Sequence, residues 1–295
     1  MIRIGLIGYN EGNGHPYSFS AIINGYDPEM MSQCPYKVIY DYLQARPKSE
    51  MGIDNMEVSH IWCPDISIAK DIARCSNIEH VVNSYEDMKD DVDAVIIARD
   101  DVESHYPIAK YFLDCGKYVM VDKPLTVDVE QLNYYIPFLE KGRLLSASGL
   151  RYKSEIRTSF YGKLKKEDVL FVNAFSVLDW KKYAIHVLEA VTPIMGADIQ
   201  NVIPMHIGDN LFAKIEYEED KYLLIQINKK VSFGIKATFY TKKGLEYHVD
   251  FNDNFGCFKY LLLEFRRMIE TNEPVINPKE TIAILSAIIK GNTLN

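Results

Sequence analysis

No apolar run in this sequence approaches the roughly 20 residues that a membrane-spanning helix needs. The opening MIRIGLIGY is too short for a secretory apolar region and runs into a glycine loop, so the chain is expected to be soluble and cytoplasmic, with no membrane partner. Blocks of like charge are missing too. Lys and Arg number 33 against 41 Asp and Glu, a net charge of −8, and the basic residues are scattered. That distribution argues against a nucleic-acid surface. The five cysteines, Cys34, Cys63, Cys75, Cys115 and Cys257, form no CxxC pair and are odd in number. They fit reduced thiols better than a disulfide framework. The histidines show no HxxxH spacing with nearby acids or cysteines, so no metal site is expected. A GxSxG elbow is absent as well, which leaves a serine hydrolase without support.

What is present is an ordinary globular composition, 47% hydrophobic and 25% charged over 295 residues, enough for two domains. In the first half, apolar strands alternate with amphipathic helices: IRIGLI at 2–7, VSHIW at 58–62, DAVIIA at 93–98 and YVMV at 118–121 read as strands. A helix is expected from about Ser18, and others at SIAKDIARC, at ESHYPIAKYFLDCG and after Asp128. This is the pattern of a Rossmann-like parallel α/β sheet. The stretch at about 26–55 lengthens the first crossover well beyond a compact unit and reads as an insertion with a helix near 37–44. The second half alternates residue by residue, as in LFAKIEY, KYLLIQIN and IKATFY, and predicts an open, mostly antiparallel sheet closed by two helices. The expected domains are 1–148 and 149–295.

The first candidate site is the loop Gly8-Tyr9-Asn10-Glu11-Gly12-Asn13-Gly14. Glycines before a helix N-terminus let backbone N–H groups approach a pyrophosphate. No clean GxGxxG is present, because Tyr17 stands where a third glycine would follow Gly12 and Gly14. A ribose-binding acid is expected at the end of the next strand, yet Cys63 occupies that place. Asp65 follows, either as that acid or as the cap of the next helix. Arg99 and Asp100 end a parallel strand, where such folds bind ligands, and either border a cofactor or pair with each other.

The stretch ESHYPIAKYFLDCGKYVMVDKPLTVDVEQL carries the most specific signal. His105, Gly116, Lys117, Lys123 and Pro124 stand at the spacing of the glucose-fructose oxidoreductase/inositol dehydrogenase (Gfo/Idh/MocA) family, which the sequence resembles, with Asp122 in place of the usual Glu. The C-terminal LLLEFRRMIETNEPVINPKETIAILSAII is similar to that family's closing helices. The resemblance implies an NAD- or NADP-dependent dehydrogenase acting on CH–OH groups of a sugar, cyclitol or sugar derivative, assembled as a homo-oligomer. It implies that Lys123 lies by the nicotinamide, where a fixed ammonium would stabilise the oxyanion that develops as hydride leaves. It also implies a catalytic histidine four residues after an Asp. His186 fits, but Lys182 stands where the Asp is expected, a departure that shifts its role to Asp179, suits an acidic substrate or abolishes catalysis. Arg151, Tyr152, Asp179, Trp180, Lys182 and Tyr183 are the expected substrate neighbours, with packing as the competing role of the aromatics. The rival reading is a non-catalytic dinucleotide- or sugar-binding regulator of the same fold. A dehydratase or epimerase that recycles a tightly held NAD is a third.

Overall fold

A computed structural model describes residues 1–208 and 210–292. The chain forms two compact units. One comprises Met1–Leu125, Pro137–Ser146 and Phe258–Val275; the other comprises Thr126–Ile136, Ala147–Cys257 and the remainder from Ile276.

The first unit is built on β1 (Ile2–Ile7), β2 (Met56–Trp62), β3 (His80–Val81), β4 (Ala94–Ile97), β5 (Tyr118–Val121) and β6 (Leu144–Leu145). They form a six-stranded sheet in the order β3-β2-β1-β4-β5-β6, with every pairing parallel. This is the doubly wound order, whose strand sequence reverses between β1 and β4 and leaves a crevice at their carboxyl ends. The alternation of apolar strand and amphipathic helix dictates it. Ile4, Leu6, Ile7, Val95, Ile96 and Ile97 are wholly buried, as a sheet covered on both faces requires.

Helix α1 (His15–Asn24) follows β1, and it begins three residues earlier than Ser18, because Pro16 suits a first turn whose N–H groups have no partner within the helix. The insertion contributes α2 (Pro28–Met31), capped by Asp27, and α3 (Lys37–Gln44). Ile39 and Leu43 are the buried face of α3, and Met31 is the buried residue of α2. The insertion is tied down at its end by Gly52 N–H to Ile22 O at 3.1 Å, Ile53 N–H to Ile23 O at 3.0 Å and Arg266 Nη1 to Asp54 O at 2.8 Å. Helix α4 (Ile66–Cys75) leads to β3, and α5 (Val102–Asp114) leads to β5. Gly116, at φ +75°, lets the chain leave α5 in a left-handed turn.

In chain order, α6 (Val129–Glu140) precedes β6, and α7 (Ser154–Arg157) and α8 (Ser159–Gly162) are short turns before the second sheet. That sheet contains β7 (Val169–Val177), β8 (Ile199–Ile207), β9 (Asn210–Tyr217), β10 (Tyr222–Asn228), β11 (Lys236–Thr241) and β12 (Glu246–Asp250). Its order is β12-β11-β7-β10-β9-β8, antiparallel except for β7 against β10. In β9, Leu211, Ala213, Ile215 and Tyr217 are buried and their neighbours are not, as the period-two pattern demands. Each large aliphatic side chain removed from water in this way contributes roughly 1.5–3 kcal/mol. Helix α9 (Ile185–Met195) packs on this sheet's unit with α11 (Pro278–Asn292), and α10 (Asn254–Thr271) precedes α11. Among the described residues, no helix is long and apolar enough to cross a membrane.

Candidate active site

Counted from Gly8, the residue after β1, the three positions of a dinucleotide loop fall on Gly8, Asn10 and Asn13. A Cβ on Gly8 would stand 2.8 Å from Pro16 Cγ and 3.4 Å from Cys63 Sγ, so the tight exit from the strand demands glycine. Gly12 has φ +84° and open space where a side chain would be. The two asparagines act as braces. Asn10 Nδ2 donates to Asp100 Oδ1 at 2.6 Å, and Asp100 N–H returns a bond to Asn10 Oδ1 at 3.0 Å. Asn13, buried, donates to Asp122 Oδ2 at 3.3 Å and accepts from His15 N–H at 2.8 Å.

Asp122 is the centre of this network. Its Oδ1 accepts from Lys123 N–H at 2.8 Å, and its Oδ2 meets His15 Nδ1 in a short contact. Burial opposes the charge on Asp122, yet His15, Lys123 and the Lys123 amide together hold its carboxyl well below the usual carboxylate range. The His15 ring is stacked on Phe19, with centroids 5.1 Å apart, and meets Phe258 edge-on at 5.2 Å. Its Nε2 has no partner among the described residues. Lys123 is half-buried, and its ammonium makes no hydrogen bond or ion pair with the described residues. The Lys123–Pro124 peptide bond is cis.

His105 is a scaffold residue. Fully buried, it faces Pro124 O at 3.0 Å and Leu125 O at 3.3 Å through Nδ1, and Arg99 O at 2.7 Å through Nε2. It therefore joins the end of β4 to the turn that carries Lys123. Arg99 does not pair with Asp100; it grips Asp101 through Nε at 2.9 Å and Nη2 at 2.7 Å and donates to Tyr9 O at 2.7 Å. The planar guanidinium is thereby committed to holding the loop. Asp65 caps α4, accepting from Ser67 N–H at 2.8 Å and Ser67 Oγ at 2.7 Å. Cys63 offers no charge at the ribose position, since burial pushes its thiol up to about 12.

In the second unit, His186 Nδ1 lies 2.6 Å from Ser148 Oγ, and Ser148 is buried. Tyr183 is beside the imidazole, with ring centroids 5.8 Å apart. Asp179 caps Trp180–Ala184 by accepting from Lys182 N–H at 2.8 Å. That segment is a π-turn and not α-helix, so the four-residue spacing does not by itself put Lys182 over His186. Three expected substrate neighbours are packed away. Trp180 is buried, donates through Nε1 to Ile288 O at 3.1 Å and lies where a Cβ on Gly291 would stand. Arg151 is buried between Glu189 and Glu280, each at 2.6 Å, because a guanidinium withdrawn from water needs carboxylates around it. Tyr152 is buried as well.

Two site residues were not legible beforehand. His15 follows the glycine loop directly, and that position was its only signal; Ser148 is 38 residues from its partner and had none. Among the described residues, no group of three His, Cys, Asp or Glu is placed to hold a metal ion.

The sheet order, the glycine at the end of β1 and the open left-handed Gly12 fit a dinucleotide-binding Rossmann fold. Residues 37–146 match the family described as an oxidoreductase family with an NAD-binding Rossmann fold. That segment is similar to the Gfo/Idh/MocA oxidoreductases, and NAD or NADP is the cofactor consistent with the match. No curated protein matches the sequence. Solved structures share the fold across nearly the whole chain. UDP-N-acetylglucosamine 3-dehydrogenase from Acidithiobacillus ferrooxidans is 13% identical with a TM-score of 0.73, over 98% of this chain and 96% of its own. Scyllo-inositol dehydrogenase from Lactobacillus casei is 12% identical with a TM-score of 0.74, over 98% and 95%. A putative myo-inositol dehydrogenase from Sinorhizobium meliloti 1021 is 14% identical with a TM-score of 0.71, over 98% and 95%.

Proposed function

We propose that this protein catalyses reversible oxidation of a secondary alcohol on a sugar, cyclitol or sugar derivative. The observation that carries the reading is Lys123, whose ammonium has no partner among the described residues while Asp122, His15 and Asn13 fix the backbone behind it. When bound, NAD or NADP supplies the acceptor and donor of hydride. Lys123 meets the substrate hydroxyl and stabilises the negative charge that grows on its oxygen, a role suited to a fixed cation in a site shielded from water. His186 takes the hydroxyl proton. In the tautomer whose Nδ1–H is donated to Ser148 Oγ, Nε2 carries the lone pair that a general base needs. The dehydrogenase neighbours named for a nucleotide sugar and for inositols support the choice of substrate class.

One observation favours a second assignment of the base. His15 has its Nδ1 held by a buried carboxylate, the arrangement that orients an imidazole for proton transfer, and it belongs to the same unit as Lys123. Turnover on a panel of cyclitols and nucleotide sugars, measured for Lys123→Ala, His186→Asn and His15→Asn, separates the two. Loss of about 100-fold or more in kcat with Lys123→Ala and His186→Asn supports the first assignment; the same loss with His15→Asn and not His186→Asn supports the second. If Lys123→Ala keeps full turnover, the mechanism is wrong. Cofactor binding with no turnover on any member of the panel favours a regulatory protein of the same fold.

A further inference from the structure

The insertion at 26–55 has no place in the chemistry described so far, yet it lies on the glycine loop. Tyr36 introduces α3, and its ring runs along the loop. A Cβ on Gly14 would stand 2.9 and 3.0 Å from Tyr36 ring atoms and 2.5 Å from Ile39 Cδ1. Gly14 is therefore glycine to admit the insertion. At the other end of the ring, the Tyr36 hydroxyl donates to the Tyr9 hydroxyl at 3.2 Å. The one hydrogen of the Tyr36 hydroxyl is thus given to Tyr9 Oη. The last hydrogen, on Tyr9, has no acceptor among the described residues. Burial, above all, pushes the Tyr36 phenol upward, so it keeps its proton at neutral pH.

The loop needs such donors. Two of its three dinucleotide positions carry asparagine, Asn10 and Asn13, whose amides are tied to Asp100 and Asp122. A side chain at those positions keeps a pyrophosphate farther from the backbone than glycine would. Arg99, whose guanidinium reaches the loop at Tyr9 O, is paired with Asp101 and is not available to compensate. A phenol carries its hydroxyl several ångströms beyond the backbone and spans that added distance. Because Tyr36 is wedged against Gly14, its hydroxyl stays at the loop and does not swing aside.

We propose that the Tyr9 hydroxyl is a phosphate-binding group and that Tyr36, which donates to it, positions it, so that the pair extends the N–H cradle of the loop to the pyrophosphate of the dinucleotide. This rests on the cofactor reading above and gives the insertion its role, that of the outer wall of the phosphate site.

The test is calorimetric titration of the full-length protein with NADH, NADPH and ADP-ribose, for the wild type, Tyr9→Phe and Tyr36→Phe. Phenylalanine keeps the ring against Gly14, so the thermal unfolding midpoint reports whether packing has survived. Hydrogen bonds to a charged group set the expected effect: Kd for the preferred nicotinamide cofactor and for ADP-ribose rises about tenfold or more in each variant. The double variant should lose less than the sum of the two, because the hydroxyls act in series. Unchanged Kd values would overturn the proposal and leave the cofactor reading standing. Tighter binding by Tyr36→Phe would also overturn it, since the Tyr36 hydroxyl would then be holding Tyr9 away from the phosphate and not toward it. A wild type that binds none of the three ligands overturns the cofactor reading itself.

Discussion

Replacing Arg151 by methionine separates a structural arginine from a substrate ligand. The side chain is 7% exposed and lies between Glu189, 1% exposed, and Glu280. Methionine fills much of the space of the stem but leaves two carboxylates facing each other with no cation. Two unit charges about 4 Å apart interact by roughly 4 kcal/mol at an effective dielectric near 20. Removing one member of a buried pair typically costs about 3–5 kcal/mol. The expected loss for Arg151→Met is therefore about 3–5 kcal/mol at pH 8, read from urea unfolding by circular dichroism. The sign of its pH dependence follows from Glu189. Burial pushes that carboxyl upward, and Arg151 opposes the rise. A carboxyl with a raised folded pKa contributes most below its unfolded value, and that contribution fades as pH rises through the folded one. Without Arg151 the rise is larger, so the loss should be smallest near pH 4–5 and grow toward pH 8. A loss under about 1 kcal/mol, or one that does not vary with pH, would refute the reasoning and return Arg151 to the substrate.

Other outcomes follow from the same geometry. Asp122→Asn should cost on the order of 2 kcal/mol at pH 7, the value of charge-assisted bonds to a buried carboxylate. Because the Asp122 pKa is depressed, its contribution is present above the ordinary carboxylate range and is lost as pH falls below about 4, so wild type and variant should converge in acid-unfolding curves. Ser148→Ala should release the His186 ring, and nitrogen chemical shifts of the labelled imidazole should show its tautomer mixture change while Ser148→Thr keeps the wild-type pattern; an unchanged spectrum in Ser148→Ala would remove Ser148 from the site. Lys123→Ala should alter nicotinamide fluorescence on NADH or NADPH titration while the protein stays folded, since its ammonium makes no hydrogen bond or ion pair with the described residues and loses only its attraction to Asp122.

Much of this molecule is dictated locally. Short continuous apolar runs such as AVII and YVMV, set between amphipathic helices, read as strands covered on both faces, and the residue-by-residue alternation of LFAKIEY reads as a strand covered on one, so a parallel sheet followed by a mostly antiparallel one was legible from the pattern. The Asp122-Lys123-Pro124 turn was legible for a similar reason: its residues are adjacent in the chain, and adjacency survives folding. What the sequence could not decide was which side chains meet across long separations. Asn13 and Asp122 are 109 residues apart, Arg151 and Glu280 are 129 apart, and no local pattern says that one pair braces a loop while the other neutralises a buried charge. The same holds for Tyr36. In the sequence it belongs to an insertion, and only the packing of α3 on Gly14 carries its hydroxyl to the glycine loop. Local periodicity sets the elements because hydrogen bonding and burial act between near neighbours; the tertiary structure sets the site because charge, proton and hydrogen-bond partners are chosen by distance in space.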